Sequence, residues 1–174
     1  MNRLCLMRHA KAVPPEHEDA PDRERPLEPR GRRAAQAVAE WVAEHRLAPA
    51  LVLSSPSLRT RQTLDIVYPS FDPPPPIHLE ERLYLASAGQ LLARLRQLHP
   101  DARSALLVGH NPGFHELAVY LSDIGTGSLM ARLGGFPTGA LAVFETELPW
   151  SALDRRQARL TEVVIPKELQ RGLD

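Results

Sequence analysis

Short apolar segments alternate with longer amphipathic segments along this chain, which leaves few folds open to it. The clearest apolar segments are residues 4–7, 51–53 and 105–108. Each is too short for a buried helix but has the length of a buried strand. Helices are predicted at about residues 29–48, 57–68, 87–98 and 111–122, and two further strands at 139–147 and 159–165. This alternation predicts an α/β protein, a three-layer α/β/α sandwich around a mostly parallel central sheet.

Three connections between these elements stand out by composition. Residues 12–26 combine prolines with charged side chains and show no periodicity, so they are predicted to form a polar loop. The four prolines at 73–76 predict an extended connector outside any sheet ladder. Residues 125–138 are rich in glycine and are predicted to be a connection.

Length, charge and cysteine content limit the classes of function. A chain of 174 residues can bury one core, so we expect residues 1–174 to form a single domain. Its 21 basic and 21 acidic side chains give zero formal net charge, which argues against nucleic acid or an anionic membrane as a partner. We find no signal peptide and no segment of membrane-spanning length. The single cysteine, Cys5, cannot form an internal disulfide, so we expect a cytoplasmic protein.

Polar side chains follow three of the predicted strands. These clusters are Arg8-His9, Ser54-Ser55-Pro56 with Arg59, and His110-Asn111. In open α/β sheets, ligands bind beyond the carboxyl ends of the strands. Two arginines and two histidines there favour an anion, and a phosphoryl group suits them better than a carboxylate because planar arginine forks and an imidazole can hold three equatorial oxygens together. The sequence therefore predicts a phosphoryl-binding site at this edge.

Two of the predicted helices begin at the carboxyl end of a strand. Ser55 is predicted to cap the second helix, with Pro56 in its first position, and Asn111 and Pro112 are predicted to do the same for the fourth helix. The free backbone N–H groups of both helices would then add partial positive charge to the anion site.

Four segments of the chain resemble motifs of the histidine phosphatase superfamily, the phosphoglycerate mutase-like proteins. The segments are LCLMRHAKA at 4–12, RPL at 25–27 with Gly31, SSPSLRTRQT at 54–63 and VGHNP at 108–112. Within the superfamily, the chain is most similar to the small phosphohistidine phosphatases of the SixA type. The resemblance spans roughly residues 1–146, and its four motifs occur in the right order at strand ends.

The resemblance implies that His9 is the catalytic nucleophile that accepts the phosphoryl group. Arg8, Arg59 and His110 would bind the phosphoryl oxygens, and Asn111 would add to the phosphate site. A neutral imidazole can attack phosphorus in line while the arginines neutralise charge on the oxygens. Such a phosphatase needs no metal and no cofactor.

Glu81 resembles the general acid of larger superfamily members, which protonates the leaving group. A phosphohistidine substrate would need that acid less, because imidazole is a far less basic leaving group than an alkoxide. Only 28 residues separate Glu81 from His110, too few for a helical lid. An open site favours a phosphohistidine protein over a small metabolite that must be enclosed.

Three other interpretations stay open at this point. The chain could be a small-molecule phosphomonoesterase, or a non-catalytic phosphate-binding module, although the intact His9 argues against the latter. A zinc site built from His9, His110 and His115 is the third, but no HExxH pattern or nearby cysteine supports it. Arg25, in the loop after the first strand, is a further candidate for substrate contact.

Overall fold

One six-stranded sheet forms the centre of the computed structural model, which describes residues 1–171. The strands are β1 (Asn2–Arg8), β2 (Leu51–Ser54), β3 (Ile77–Leu79), β4 (Ser104–Gly109), β5 (Leu141–Thr146) and β6 (Arg159–Val164). Their order in the sheet is β3-β2-β4-β1-β5-β6. The first four in this order are parallel, whereas β5 runs antiparallel to both β1 and β6. The predicted mostly parallel sheet is confirmed.

Helices cover both faces of the sheet. They are α1 (Pro29–Glu44), α2 (Leu58–Val67), α3 (Ala88–Leu95), α4 (Gly113–Leu121), α5 (Gly127–Leu133) and α6 (Pro166–Arg171). The two faces have separate cores, because side chains alternate across a strand. In β1, Leu4 and Leu6 pack with α3 and α4, whereas Cys5 and Met7 pack with α1 and α2. The predicted three-layer α/β/α sandwich is therefore confirmed.

Two of the predicted connections contain regular structure that the sequence did not indicate. The glycine-rich segment 125–138 includes α5, whose Leu133 is fully buried. The prolines at 73–76 lead directly into the edge strand β3, and the carbonyl of Pro76 already accepts a hydrogen bond from Val52. Both elements are short, and β3 has only exposed side chains, so neither leaves a periodic apolar pattern. The final helix α6 was not predicted either.

The beginnings of α2 and α4 differ from the predicted caps. Helix α2 has Ser57 at its N-cap, because Ser55 still pairs with the sheet through a hydrogen bond from its N–H to the carbonyl of Val108. Helix α4 begins at Gly113, with Pro112 rather than Asn111 at the N-cap position. Each helix thus begins a little later than predicted.

The sheet order brings the three polar clusters together. Strands β2, β4 and β1 are parallel neighbours, so their carboxyl ends meet at one edge. Sheet pairing continues just past the strands, since the N–H of His9 donates to the carbonyl of Gly109 at 3.1 Å. The residues that follow the three strands therefore start side by side.

Two further predictions concern the extent of the chain and membranes. The predicted single domain spans residues 1–174, of which 172–174 lie outside the described residues. Within residues 1–171, no helix has both the length and the apolar character needed to cross a bilayer.

Candidate active site

His9 lies directly after β1 and is 7% exposed. Its Nδ1 is 2.8 Å from the carbonyl oxygen of Ala10. A carbonyl only accepts, so Nδ1 carries the proton of the neutral ring and Nε2 holds the free lone pair. Burial lowers the pKa of His9 to about 4, against the opposing effect of the Ala10 hydrogen bond, and the charges of Arg59 and Arg8 lower it further. At neutral pH, His9 is an uncharged imidazole with an unprotonated Nε2.

His110 follows β4 and is 3% exposed. Its Nδ1 is 3.3 Å from Nη2 of Arg59, and its Nε2 is 2.8 Å from Oγ of Ser55. Because a guanidinium only donates, Nδ1 of His110 is the acceptor, and the protonated Nε2 donates a hydrogen bond to Ser55. Burial and the charge of Arg59 lower the pKa of His110 to about 3. The rings of His110 and His9 lie 5.4 Å apart, so the two neutral histidines share one site.

Arg59 reaches this site from the first turn of α2. Side chains in a helix tilt toward its N-terminus, which directs the guanidinium back over the sheet edge. Arg59 is 2% exposed, and its Nη1 and Nη2 both bind Asp22, at 2.7 Å from the backbone carbonyl oxygen and 2.9 Å from Oδ2. Among the residues described, its buried Nε has no hydrogen-bond partner.

Arg8, the last residue of β1, is held by a backbone carbonyl rather than by Asp22. Its Nη1 donates to the carbonyl oxygen of Phe136 at 3.0 Å. Within residues 1–171, the buried Nε of Arg8 lacks a partner, as that of Arg59 does. Burial and the neighbouring Arg59 lower the pKa of Arg8. Two buried guanidinium N–H groups thus lack an acceptor, and an anion in the site is one way to supply it.

Asn111 supports the site rather than pointing a free side chain into it. Its Nδ2 donates to the carbonyls of Gly135 and Phe136, at 2.8 and 3.2 Å, and its Oδ1 accepts from the N–H of His115 at 3.3 Å. The Phe136 carbonyl also binds Arg8, so Asn111 and Arg8 share one anchoring point. The side chain of Asn111 is therefore already occupied.

Glu81 is not brought to this cluster. Its side chain is 72% exposed, and an oxygen of its carboxylate lies 2.5 Å from Nη2 of Arg23. The hydrogen bond from Arg23 lowers the pKa of Glu81, which keeps the carboxylate ionised. The guanidinium of Arg23 in turn stacks over the ring of Tyr84 at 4.3 Å. Glu81 thus lies on an outer rim, bound to Arg23, and its role as a general acid stays a prediction.

Arg25, in the polar loop, is linked to the site through Asp22. Its Nε is 3.0 Å from Oδ1 of Asp22, and its Nη1 donates to the carbonyl of Val13 at 3.0 Å. Its positive charge also contributes to the lowered pKa of His9. The loop after β1 therefore passes beside the site, as expected.

Sequence reasoning missed several residues that build the site. Thr63 joins its two halves, since its Oγ1 accepts from the N–H of Ala10 at 3.0 Å and donates to the carbonyl of Arg59 at 2.7 Å. A threonine four residues after Arg59 is a weak signal for such a role. Ser55, predicted as a cap, also accepts a hydrogen bond from Nε2 of His110. Nothing in the sequence singled out Asp22 or Tyr84.

The arrangement suits phosphoryl chemistry better than metal binding. Within the part of the chain described, no three side chains of histidine, cysteine, aspartate or glutamate are placed to hold a metal ion. The three-histidine zinc site is therefore not assembled, and His115 contributes only its backbone N–H to Asn111. What is assembled is a free imidazole nitrogen beside buried guanidinium groups, which can attack and bind a phosphoryl group.

Fold and site together define a class of protein, an α/β/α sandwich with an anion site of arginines and histidines at the strand ends. Residues 4–105 match the family model of the histidine phosphatase superfamily, branch 1. This chain belongs to that superfamily. The resemblance of the sequence motifs is thereby confirmed.

Individual relatives extend over nearly the whole chain. The uncharacterized protein Rv1276c of Mycobacterium tuberculosis (strain ATCC 25618 / H37Rv) is 34% identical over 164 residues, which cover 92% of this chain and 100% of the relative. A protein of Nakamurella multipartitia assigned as the phosphohistidine phosphatase SixA is 30% identical, with a TM-score of 0.80 over 95% of this chain and 96% of that one. A protein of Agrobacterium tumefaciens with the same assignment is 31% identical, with a TM-score of 0.78 and coverages of 95% and 98%.

Proposed function

We propose that this chain is a phosphatase that passes a phosphoryl group through a covalent intermediate on His9, and that its substrate is phosphohistidine in a protein. The hydrogen bond from Nδ1 of His9 to the Ala10 carbonyl carries the proposal. It fixes the tautomer, so Nε2 keeps its lone pair free for phosphorus. The lowered pKa of His9 ensures that nearly every molecule has this nucleophile available at neutral pH.

The proposed reaction has two displacements at phosphorus. In the first, the lone pair of His9 Nε2 forms a bond to phosphorus as the bond to the substrate imidazole breaks, and the departing imidazole takes its proton from solvent. In the second, a water oxygen attacks phosphorus, the P–Nε2 bond breaks and its electron pair returns to His9. The water proton leaves to solvent, and inorganic phosphate is released. Arg8 and Arg59 would bind the phosphoryl oxygens in both steps, and His110 would join them when the bound anion favours protonation of its Nδ1.

Leaving-group chemistry supports a phosphohistidine substrate. The exposed Glu81 is engaged with Arg23, and an alkoxide would need a positioned acid that an imidazole does not. The segment between Glu81 and His110 forms α3 and β4, which are both part of the sandwich. This segment therefore supplies no lid that would enclose a small metabolite. The relatives assigned as phosphohistidine phosphatases agree with this substrate class.

Metal independence and location belong to the same proposal. Because arginines supply the positive charge, turnover should not depend on a bound metal ion. The thiol of Cys5 is buried and free, which suits a reducing cytoplasm. We also propose that residues 1–174 act as one catalytic domain.

A substrate panel tests the proposal. Purified protein is compared on a protein carrying phosphohistidine, a phosphoserine protein, a sugar phosphate and nitrophenyl phosphate, with and without EDTA. We expect the highest kcat/KM on phosphohistidine and no effect of EDTA. A preference for the sugar phosphate would establish a small-molecule phosphomonoesterase instead. Phosphate binding without any turnover would establish a binding module, and loss of activity in EDTA would contradict metal independence.

A further inference from the structure

Asp22, in the polar loop, is a carboxylate that binds the buried Arg59. It opens a single 3-10 turn, Asp22–Glu24, between β1 and α1. Arg59 donates from Nη1 to the backbone carbonyl of Asp22 at 2.7 Å and from Nη2 to its Oδ2 at 2.9 Å. One residue thus holds both terminal nitrogens of Arg59, which fixes the plane of the guanidinium.

Asp22 also ties two further side chains to Arg59. Its Oδ1 accepts from Nε of Arg25 at 3.0 Å, and its Oδ2 accepts from the hydroxyl of Tyr84. The ring of Tyr84 packs edge-on against His110, with centroids 5.4 Å apart. Against the opposing effect of desolvation, hydrogen bonds from Tyr84 and Arg59 hold the pKa of Asp22 below its usual range. Asp22 is therefore an ionised junction between the loop, α2 and the segment after β3.

The loop that carries Asp22 is anchored at its base. Ala12 and Leu27 form an antiparallel bridge, and the N–H of Leu27 also donates to Oε1 of Gln62 in α2 at 2.9 Å. The α2 helix therefore carries Arg59 and also anchors the base of the loop that contains Asp22. Such a closed arrangement suits a residue that orients Arg59, because the loop and the arginine cannot shift independently.

We infer that Asp22 is a positioning residue for Arg59, which it orients for contact with the phosphoryl group. The inference rests on the proposed function, since Arg59 matters only if the site binds phosphoryl oxygens. Nη2 of Arg59 contacts both Asp22 and His110, so a change in the plane of the guanidinium would misplace it relative to His110. The opposite role would be competition. If the Asp22 carboxylate occupied Arg59 in place of phosphate, its removal would tighten the binding of phosphate.

A double-mutant cycle separates these roles. Asp22→Ala should lower kcat on nitrophenyl phosphate about 10- to 100-fold, because small misplacements of a catalytic group are costly, while the backbone carbonyl still holds Nη1. In an Arg59→Ala background, Asp22→Ala should cause little further loss, since it acts through Arg59. Asp19→Ala, an exposed acid on the same loop, is the matched control and should keep normal turnover.

Orthovanadate binding and a conservative variant complete the test. Asp22→Ala should weaken vanadate binding, and Asp22→Asn, which keeps an acceptor oxygen for Arg59, should restore most of the lost turnover. Tyr84→Phe should cost only a few-fold. Tighter vanadate binding by Asp22→Ala, or losses that add fully to those of Arg59→Ala, would overturn the inference. If Asp22→Ala fails to fold by circular dichroism, Asp22→Asn and Tyr84→Phe decide. Asp22→Asn should bind vanadate no more tightly than the wild type, and Tyr84→Phe should lose turnover a few-fold. Tighter vanadate binding by Asp22→Asn, or unchanged turnover in Tyr84→Phe, would overturn the inference. A wild-type protein that neither binds vanadate nor hydrolyses any substrate would instead refute the proposed function.

Discussion

The inner site and its rim use the same kinds of charged groups in different surroundings. The Arg59 side chain is 2% exposed, whereas the Glu81 side chain is 72% exposed. Electrostatic interactions are strong where water is excluded and are screened where it is not. A charge in the inner site therefore affects the rate of phosphoryl transfer, whereas an exposed ion pair on the rim, such as Arg23–Glu81, contributes little to either rate or stability. The predictions below test this division.

The largest effect is expected for His9→Ala. Loss of the nucleophile should lower kcat at least about 10³-fold while the fold persists. In the wild-type protein, the trapped phosphoryl group should survive alkali and disappear in mild acid, as a P–N bond does. Rapid-quench labelling with a radioactive phosphoryl donor provides the measurement. Near-normal turnover of a folded His9→Ala protein would show that His9 is not the nucleophile.

Arg59→Ala should have the next largest effect. An arginine that contacts phosphoryl oxygens in the transition state contributes about 10²-fold or more to the rate. The same change should weaken competitive inhibition by orthovanadate. Arg61→Ala provides a control from the same helix, since Arg61 is exposed. Equal losses in the two variants would remove the distinction between inner site and surface.

The protein should become less stable as the pH is lowered, because the fold keeps the two inner histidines neutral. Their pKa values in the folded protein, about 4 for His9 and about 3 for His110, lie below the ordinary value of 6.5. Between about pH 6.5 and pH 4, the unfolded chain binds protons that the folded protein does not. The free energy of unfolding should therefore decrease as pH falls through this window, by up to about 1.4 kcal/mol per pH unit for each histidine.

Urea denaturation at several pH values measures this dependence. His110→Gln should flatten it, whereas His78→Gln, a change on the exposed strand β3, should leave it as it is. Saturating phosphate should also flatten it, because a bound anion favours protonated imidazole. An unchanged dependence in His110→Gln would contradict the buried neutral state of His110.

The smallest effect is expected for Glu81→Gln. Because Glu81 lies on the rim and binds Arg23, we expect less than about a twofold change in kcat/KM on phosphohistidine, nitrophenyl phosphate and an alkyl phosphate alike. A loss confined to the alkyl phosphate would show that Glu81 reaches the leaving group once substrate is bound. Such a result would shift the boundary between inner site and rim.

The inner site could be predicted from the sequence because its geometry follows from the sheet. Arg8, His9 and His110 lie at or directly after strands whose apolar segments are unmistakable, and parallel strands place their carboxyl ends at one edge. Arg59 could be added because side chains in a first helical turn point back toward the sheet edge. Local pattern and strand direction were sufficient for these four residues.

The contacts of Asp22 and Glu81 depend on where loops run, which no local pattern encodes. Asp22 is 37 residues from Arg59 and 62 from Tyr84 in the chain, and it meets them only because the loop closes over α2. The same reason explains why the motif around Glu81 did not indicate that its carboxylate binds Arg23. Short elements without apolar periodicity escaped prediction, because β3 forms through backbone pairing with β2 and α5 through the burial of Leu133. The sequence by itself determined the fold class and the inner site, because both follow from buried periodic segments. Only the tertiary structure decided which carboxylate faces Arg59, because that contact depends on the path of a loop.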